Sequence, residues 1–270
     1  NDVVAITSRH DTHAKAVCDA LAAKKHVYVE KPLALSVSEL KDIHQAYTNN
    51  GKSQIMVGFN RRFAPATLKL KEHFASVKSP LVINIRINAG FVSSEHWTQD
   101  PQIGGGRMIG EGCHFIDLAS AIVSSNVKTI YAVGSSKNEK SALLNDNLCL
   151  ALTFNNGSIA NITYTADGSK AMTKEYIEVF GGRRSAQIKD FKEISLFEGN
   201  KNIKNKKLGT QDKGQKSMIE NWLKGIQTGV PCVDYSTLMQ TSLATILSIE
   251  SLSIGVPLNV DSNLYKINSS

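Results

Sequence analysis

The spacing of apolar positions changes character along the chain. Val3 to Thr7 is a short β-branched run, and Asp11 to Lys25 follows with Ala14, Val17, Cys18 and Leu21 at helical spacing behind an Asp/Thr cap. His26 to Val29 predicts a second strand. Ser36 and Glu39 then form a capping box that opens a helix with Leu40, Ile43 and Tyr47 on one face, stopped at Gly51. Gln54 to Phe59 is a third strand. Strands and helices alternating in this way predict right-handed crossovers and a parallel sheet, as in part of a doubly wound nucleotide-binding fold.

After a helix near Pro65 to Val77 the period shortens. Leu81 to Ala89 carries Val82, Ile83, Ile85 and Ile87, and Leu148 to Phe154 faces Ser158 to Thr165 across Asn155-Asn156-Gly157, a hairpin signal. Tyr176 to Phe180, Ala186 to Asp190 and Ile194 to Phe197 predict further short strands, and helices over Gln215 to Thr228 and Ser236 to Gly255 close the chain. The expected architecture is α/β plus α+β. Residues 1–62 form the C-terminal part of a dinucleotide-binding domain, and residues 63–262 a largely antiparallel substrate-binding and oligomerisation domain.

Composition narrows the classes. With 270 residues, 41% hydrophobic and 20% charged, the chain can bury a sizeable core and is neither disordered nor fibrous. No apolar run approaches the roughly 18 residues of a membrane span, and no signal-peptide pattern opens the chain, so a soluble, cytoplasmic protein with no membrane partner is expected. Cys18, Cys113, Cys149 and Cys232 form no CxxC pair, which suggests neither zinc nor a disulfide framework. Cys113 reads as a small buried filler, with a thiol nucleophile the alternative.

The net charge of +7 is concentrated between Asn200 and Lys216, where Lys201, Lys204, Lys206, Lys207, Lys213 and Lys216 face only Asp212. Gly, Asn and Lys without aromatics describe a solvated loop there. An anionic substrate is the alternative, and nucleic acid is not an expected partner.

Ligands of a doubly wound sheet bind outside the carboxyl ends of its strands. The segments there are Ser8 to His13, Glu30-Lys31-Pro32 and Asn60-Arg61-Arg62, all rich in polar and cationic groups. Pro32 biases Lys31 toward an extended conformation, which suits aiming its side chain from a strand end. His10 and His13 lack the spacing and companions of a zinc site. No G-x-G-x-x-G follows a strand, and Gly104-Gly105-Gly106 lies outside any βαβ context, so the numbered chain reads as the later part of a longer polypeptide.

Thr7 through His13, Val29-Glu30-Lys31-Pro32-Leu33 and Gly58-Phe59-Asn60-Arg61-Arg62-Phe63 together resemble the Gfo/Idh/MocA oxidoreductases. His96-Trp97, Gly104-Gly105-Gly106-Arg107 and Gly112-Cys113-His114-Phe115-Ile116-Asp117 extend the resemblance downstream, as does the ending from Gly229-Val-Pro231 to Gly255-Val-Pro257-Leu258. Glu95-His96-Trp97 and Gly106 to Glu111 look closest to a branch often fused behind an alcohol-dehydrogenase-like domain in polysaccharide biosynthesis.

The resemblance implies NAD or NADP as cofactor, a sugar or nucleotide-sugar substrate oxidised or reduced at a secondary alcohol or carbonyl, and a homo-dimer or tetramer. It gives catalytic roles to Lys31 and His114. Cofactor contacts fall to Thr7, Ser8, Arg9, His10, His13, Glu30, Lys31, Asn60 and Arg61, and substrate contacts to Arg62, Trp97, Arg107, Glu111 and His114.

The chemistry suits those residue types. A histidine near neutral pKa takes the hydroxyl proton, and a lysine beside the same oxygen stabilises developing alkoxide. Each assignment has a plainer counterpart. Arg61 and Arg62 would otherwise form salt bridges, Trp97 would pack, and Arg107 would cap a loop. Glu111 and Asp117 lie three residues either side of His114, and either is a candidate to orient the imidazole. Many relatives carry an Asp where this chain has Gly110. The competing reading is therefore a non-catalytic relative that kept the fold for ligand binding or oligomer formation.

Overall fold

The computed structural model describes residues 2–135 and 146–266. Its first unit is a three-stranded parallel sheet of β1 (Val3–Ile6), β2 (His26–Val29) and β3 (Ile55–Val57), in that spatial order. Helix α1 (His13–Ala22) connects β1 to β2, and α2 (Val37–Asn50) connects β2 to β3. The expected caps are present. The Ser36 side chain accepts from the Glu39 amide, the Glu39 carboxylate takes the Leu35 amide at 2.6 Å, and Gly51 ends α2 at φ 68°. Val17, Leu21, Val27, Val29, Leu40, Ile43 and Val57 close the core between helices and sheet.

Helix α3 (Pro65–Phe74) leads into the second unit, where a nine-stranded sheet is built from β4 (Val82–Asn88), β5 (Val127–Gly134), β6 (Asn147–Phe154), β7 (Ile159–Thr165), β8 (Glu175–Gly181), β9 (Arg184–Lys189), β10 (Glu193–Glu198), β11 (Lys201–Lys207) and β12 (Leu258–Asn259). Their order is β11-β10-β9-β8-β4-β7-β6-β5-β12, antiparallel except where β4 runs beside β7. Gly157, at φ 84°, sits at the predicted β6–β7 turn.

One face of this sheet is covered by helix α4 (Cys113–Val123) and by α6 (Tyr235–Ile254), which follows α5 (Gln215–Thr228). On that face Ile83, Ile85, Ile87, Leu150, Ile162, Ile177 and Ile188 are buried. The alternate positions Val82, Val133, Ile159 and Phe180 are exposed on the other face. No helix among the described residues is long and apolar enough to cross a membrane.

The lysine-rich segment departs from expectation. Lys201 to Lys207 is a strand, not a loop: it pairs antiparallel with β10 and is exposed at every residue. Apart from the exposed Ile203 it is polar on both sides, so period carries no strand signal. Lysines suit it as a sheet edge, because charge blocks further strand pairing. Strands β5 and β12 were also not predicted from the pattern.

Candidate active site

The carboxyl ends of β1, β2 and β3 point toward the N-terminal end of α4, and a cavity of about 440 Å³ lies between them. Its walls include His10 and Lys31 from the first unit, Trp97, Arg107 and His114 from the second, and Lys174 at the start of β8. A second cavity of about 250 Å³, lined by Tyr28, Glu30, Asn60 and Lys213, shares Arg61 and His114 with it. His114 therefore stands between the two.

Lys31 follows β2 directly, and the Lys31–Pro32 peptide is cis. Its Nζ donates to the Gly110 carbonyl at 2.8 Å, which ties the first unit to the helix carrying His114 and leaves two N–H groups for a ligand. Met108–Gly112 winds as a single π-helical turn ahead of α4, a local widening that recurs at functional sites.

His114 is 7% exposed, and its Nδ1 is buried with no hydrogen-bond partner among the described residues. Burial, followed by the Arg61, Lys31, Lys213 and Lys174 cations, holds its pKa well below the usual histidine value. Neither expected carboxylate orients it. Glu111 Oε2 accepts from Tyr164 Oη at 2.6 Å and from Arg107 at 3.0 Å, while Oε1 accepts from Lys174 at 2.7 Å. Burial raises the Glu111 pKa, but Lys174, Tyr164 and Arg107 outweigh it and bring the carboxyl down to about 2. Asp117 turns to Arg62 instead, with Nε to Oδ2 at 2.9 Å. The shared helical face placed these groups near His114, yet stronger cationic partners captured them.

The remaining predicted residues divide into three groups. His10, Trp97 and Arg107 line the larger cavity with Lys31 and His114. The His10 Nδ1 meets the Gly104 carbonyl at 2.8 Å. A carbonyl only accepts, so in the neutral ring Nδ1 carries the hydrogen and Nε2 presents a lone pair. Burial above all, then Lys31 and His13, brings the His10 pKa down to about 4. Trp97 meets this ring edge-on at 4.8 Å between centroids. Arg107 gives three of its five N–H groups to Tyr164, Glu111 and the Gly90 carbonyl.

A second group flanks the cavity. Thr7, Ser8 and Arg9 are exposed beyond β1, with the Arg9 guanidinium 5.7 Å from the Trp97 ring centroid. Glu30 and Asn60 line the smaller cavity, where Glu30 accepts from Tyr28 Oη at 2.5 Å and Asn60 donates to the Lys213 carbonyl at 2.8 Å. A Cβ at Gly58 would come within 2.9 Å of Glu30 Oε2, so glycine there gives the carboxylate its place.

The third group is structural. His13 is fully buried, its ring nitrogens against the carbonyls of Pro32 at 2.7 Å and Ser8 at 3.1 Å. Arg62 is committed to Asp117 and lines neither cavity, which favours the salt-bridge alternative over substrate contact. Arg61 reaches the larger cavity while paired bidentately with Glu175 at 2.8 and 2.9 Å, and Lys213 joins the same carboxylate at 2.6 Å. Cys113 is buried, and burial pushes its thiol up to about 12, which suits a filler and not a nucleophile.

Sequence reasoning missed Tyr164, Lys174, Glu175 and Lys213. Tyr164, Lys174 and Glu175 lie on strands, or beside one, that reach the site only after the large sheet folds back on α4, Lys213 lies in the connection just before α5, and no local spacing announces them.

A parallel sheet whose strand ends present a lysine, joined to a large sheet whose covering helix presents a histidine, defines a two-unit architecture with its candidate site where the two meet. Residues 1–59 match the family model described as oxidoreductase family, NAD-binding Rossmann fold, and residues 79–187 match the GFO/IDH/MocA C-terminal domain. The chain belongs to the Gfo/Idh/MocA oxidoreductase family.

The chain is 32% identical over 203 residues to the uncharacterized oxidoreductase YrbE of Bacillus subtilis, covering 68% of this chain and 54% of that protein. It is 29% identical over 200 residues to a myo-inositol 2-dehydrogenase of Thermotoga maritima, covering 67% of this chain and 54% of that one. The chain thus spans about half the length of these relatives. Among solved structures, an oxidoreductase domain protein from Kribbella flavida superposes at TM-score 0.83 with 17% identity, covering 97% of this chain and 80% of that one. Levoglucosan dehydrogenase in complex with NADH and levoglucosan superposes at 0.81 with 20% identity, covering 96% and 80%.

Proposed function

We propose that the protein, in its intact form, is a nicotinamide-dependent dehydrogenase or reductase acting on a secondary alcohol or carbonyl of a sugar or a sugar derivative. The observation that carries this reading is the shared cavity of Lys31 and His114, with Lys31 aimed from a strand end and His114 keeping an unpartnered, buried Nδ1. The fit to a nicotinamide is local. Lys31 retains donors, Trp97 and His10 meet edge-to-face as an aromatic corner, and Thr7, Ser8 and Arg9 lie just beyond β1 beside it. No glycine-rich phosphate cradle lies among the described residues, so these side chains would hold only the nicotinamide end. NAD and NADP are both compatible with them.

When bound, the cofactor supplies or accepts the hydride. Lys31 donates a hydrogen bond to the substrate oxygen and stabilises negative charge there. His114, neutral at pH 7, accepts the hydroxyl proton on oxidation and returns it on reduction. In the intact protein, His114→Asn should lower kcat by about 10²–10⁴ on the best sugar of a panel run with NAD and NADP. Turnover within a few-fold of wild type would remove His114 from the mechanism.

One observation favours a non-catalytic relative instead: no carboxylate among the described residues orients His114, and its cationic neighbours disfavour the imidazolium it must form. Sugar and cofactor binding without turnover by the intact protein would decide for that reading. We further propose self-association through the open face of the nine-stranded sheet, where Val82, Val133, Ile159 and Phe180 are exposed.

A further inference from the structure

The groups around the two cavities are unevenly charged. Lys31, Arg61, Arg107, Lys174 and Lys213 are gathered there against Glu111 and Glu175, and both carboxylates are already shared between two cations. Counting Glu30 on the far side of the smaller cavity still leaves two positive charges in excess. His10 and His114 add no charge at neutral pH, and the four charged neighbours that act most strongly on His114, namely Arg61, Lys31, Lys213 and Lys174, are all cations.

Three of the five cations are poorly placed to meet a ligand. The side chains of Arg107 and Arg61 are only 7% exposed and are anchored on Glu111 and Glu175, and Lys213, 18% exposed and anchored on Glu175, lines only the smaller cavity. Lys31 belongs at the reacting oxygen. Lys174 differs: it lines the larger cavity, its side chain is 42% exposed, and its one ion pair, to Glu111, leaves two N–H groups. Stabilising a developing alkoxide needs one cation. A neutral sugar would leave the rest as uncompensated repulsion in a partly desolvated site, where charge acts more strongly than in water.

We propose that the substrate carries an anionic group, a carboxylate or a phosphate ester on the sugar, and that Lys174 is the residue that meets it. Resting on the dehydrogenase reading for the sugar but not for the charge, this assigns Lys174 to specificity. It also answers the weakness of His114 as a base. An anion among those cations lowers the local positive potential and makes the imidazolium easier to form once substrate is bound.

Two measurements separate the charge from the chemistry. The chain has two tryptophans, and Trp97 lines the cavity while Trp222 is buried on α5. In the intact protein carrying Trp222→Phe, iodide should quench Trp97 more strongly than neutral acrylamide at low ionic strength, and caesium less strongly. Lys174→Gln should lower the iodide constant about twofold and leave the acrylamide constant in place. The fluorescence difference between wild type and Trp97→Phe gives the same readout without altering Trp222.

The intact protein is then assayed with NAD and NADP on matched sets, each a neutral sugar, its uronic or aldonic acid, and its phosphate ester. An anionic member should exceed its neutral partner about tenfold in kcat/KM at low salt. Lys174→Gln should bring that ratio toward one, Lys174→Arg should keep it, and the acid and ester arms tell carboxylate from phosphate. Iodide quenching no stronger than that of acrylamide, or faster turnover of the neutral members, overturns the proposal. Preferential iodide quenching with no turnover of any sugar supports the anionic site and defeats the dehydrogenase reading.

Discussion

Arg61 and Arg62, adjacent in the chain, pair with different carboxylates, Glu175 and Asp117, each of which has no exposed side-chain surface. Removing one partner of such a pair leaves a buried charge uncompensated, which is worse than losing both. Glu175→Ala, which strands both Arg61 and Lys213, should cost about 3–5 kcal/mol in denaturant unfolding. Glu111 makes a pH-dependent contribution whose sign follows from its lowered pKa. The folded protein keeps this carboxylate ionised down to about pH 2, while the unfolded chain protonates it near its ordinary value of 4.5. Its stabilisation is therefore present above pH 4.5 and lost as pH falls toward 2. In Glu111→Gln the slope of stability against pH in that window should be shallower, as read by thermal melting across a pH series. At this scale the sequence made Lys31 and His114 visible through their local motifs. It could not show that Glu111 and Asp117 would prefer other partners to the imidazole, because Lys174, Tyr164 and Arg62 come from other elements and only Arg107, four residues before Glu111, is local.

The π-helical turn before α4 is held open by small residues. A Cβ at Gly110 would lie 3.2 Å from His10 Cε1, closer than ordinary contact, and the ring cannot retreat freely because Trp97 stands against it and Gly104 holds its Nδ1. Gly110→Ala should therefore displace His10 and raise KM, and His10→Ala alone should also raise it. Combined, the two changes should cost less than their sum, a coupling that a double-mutant cycle in the intact protein would measure. Strict additivity would mean that the two positions do not share space. Helices α1, α2, α5 and α6 were legible because each has an apolar face and a clear start or stop. Strand β11 was not, since an edge strand exposed on both faces has no burial to pattern it.

For the whole molecule, the open sheet face is the feature that a single chain leaves unexplained. Val82 pairs with both Ile159 and Phe180 across neighbouring strands, so the three side chains form one apolar patch. Sedimentation of the intact protein should give a dimer or larger assembly. Val82→Lys combined with Ile159→Lys should shift it toward the monomer without lowering its melting temperature by more than a few degrees. A monomer in the wild type would leave that face for another partner.

The sequence by itself determined most of the strands and helices that bury one face, β5 being the exception, the order of a parallel unit before a large sheet, and the lysine and histidine at the ends of their elements. Local spacing suffices for these, because period and capping are properties of neighbouring residues. The tertiary structure decided which charges neutralise one another. It brought Tyr164, Lys174, Glu175 and Lys213 to the site from segments far along the chain, bound His13 and Arg62 into the framework, and left an excess of cations around two adjoining cavities. Electrostatic partnership depends on distance in space, and only the folded sheet sets that distance.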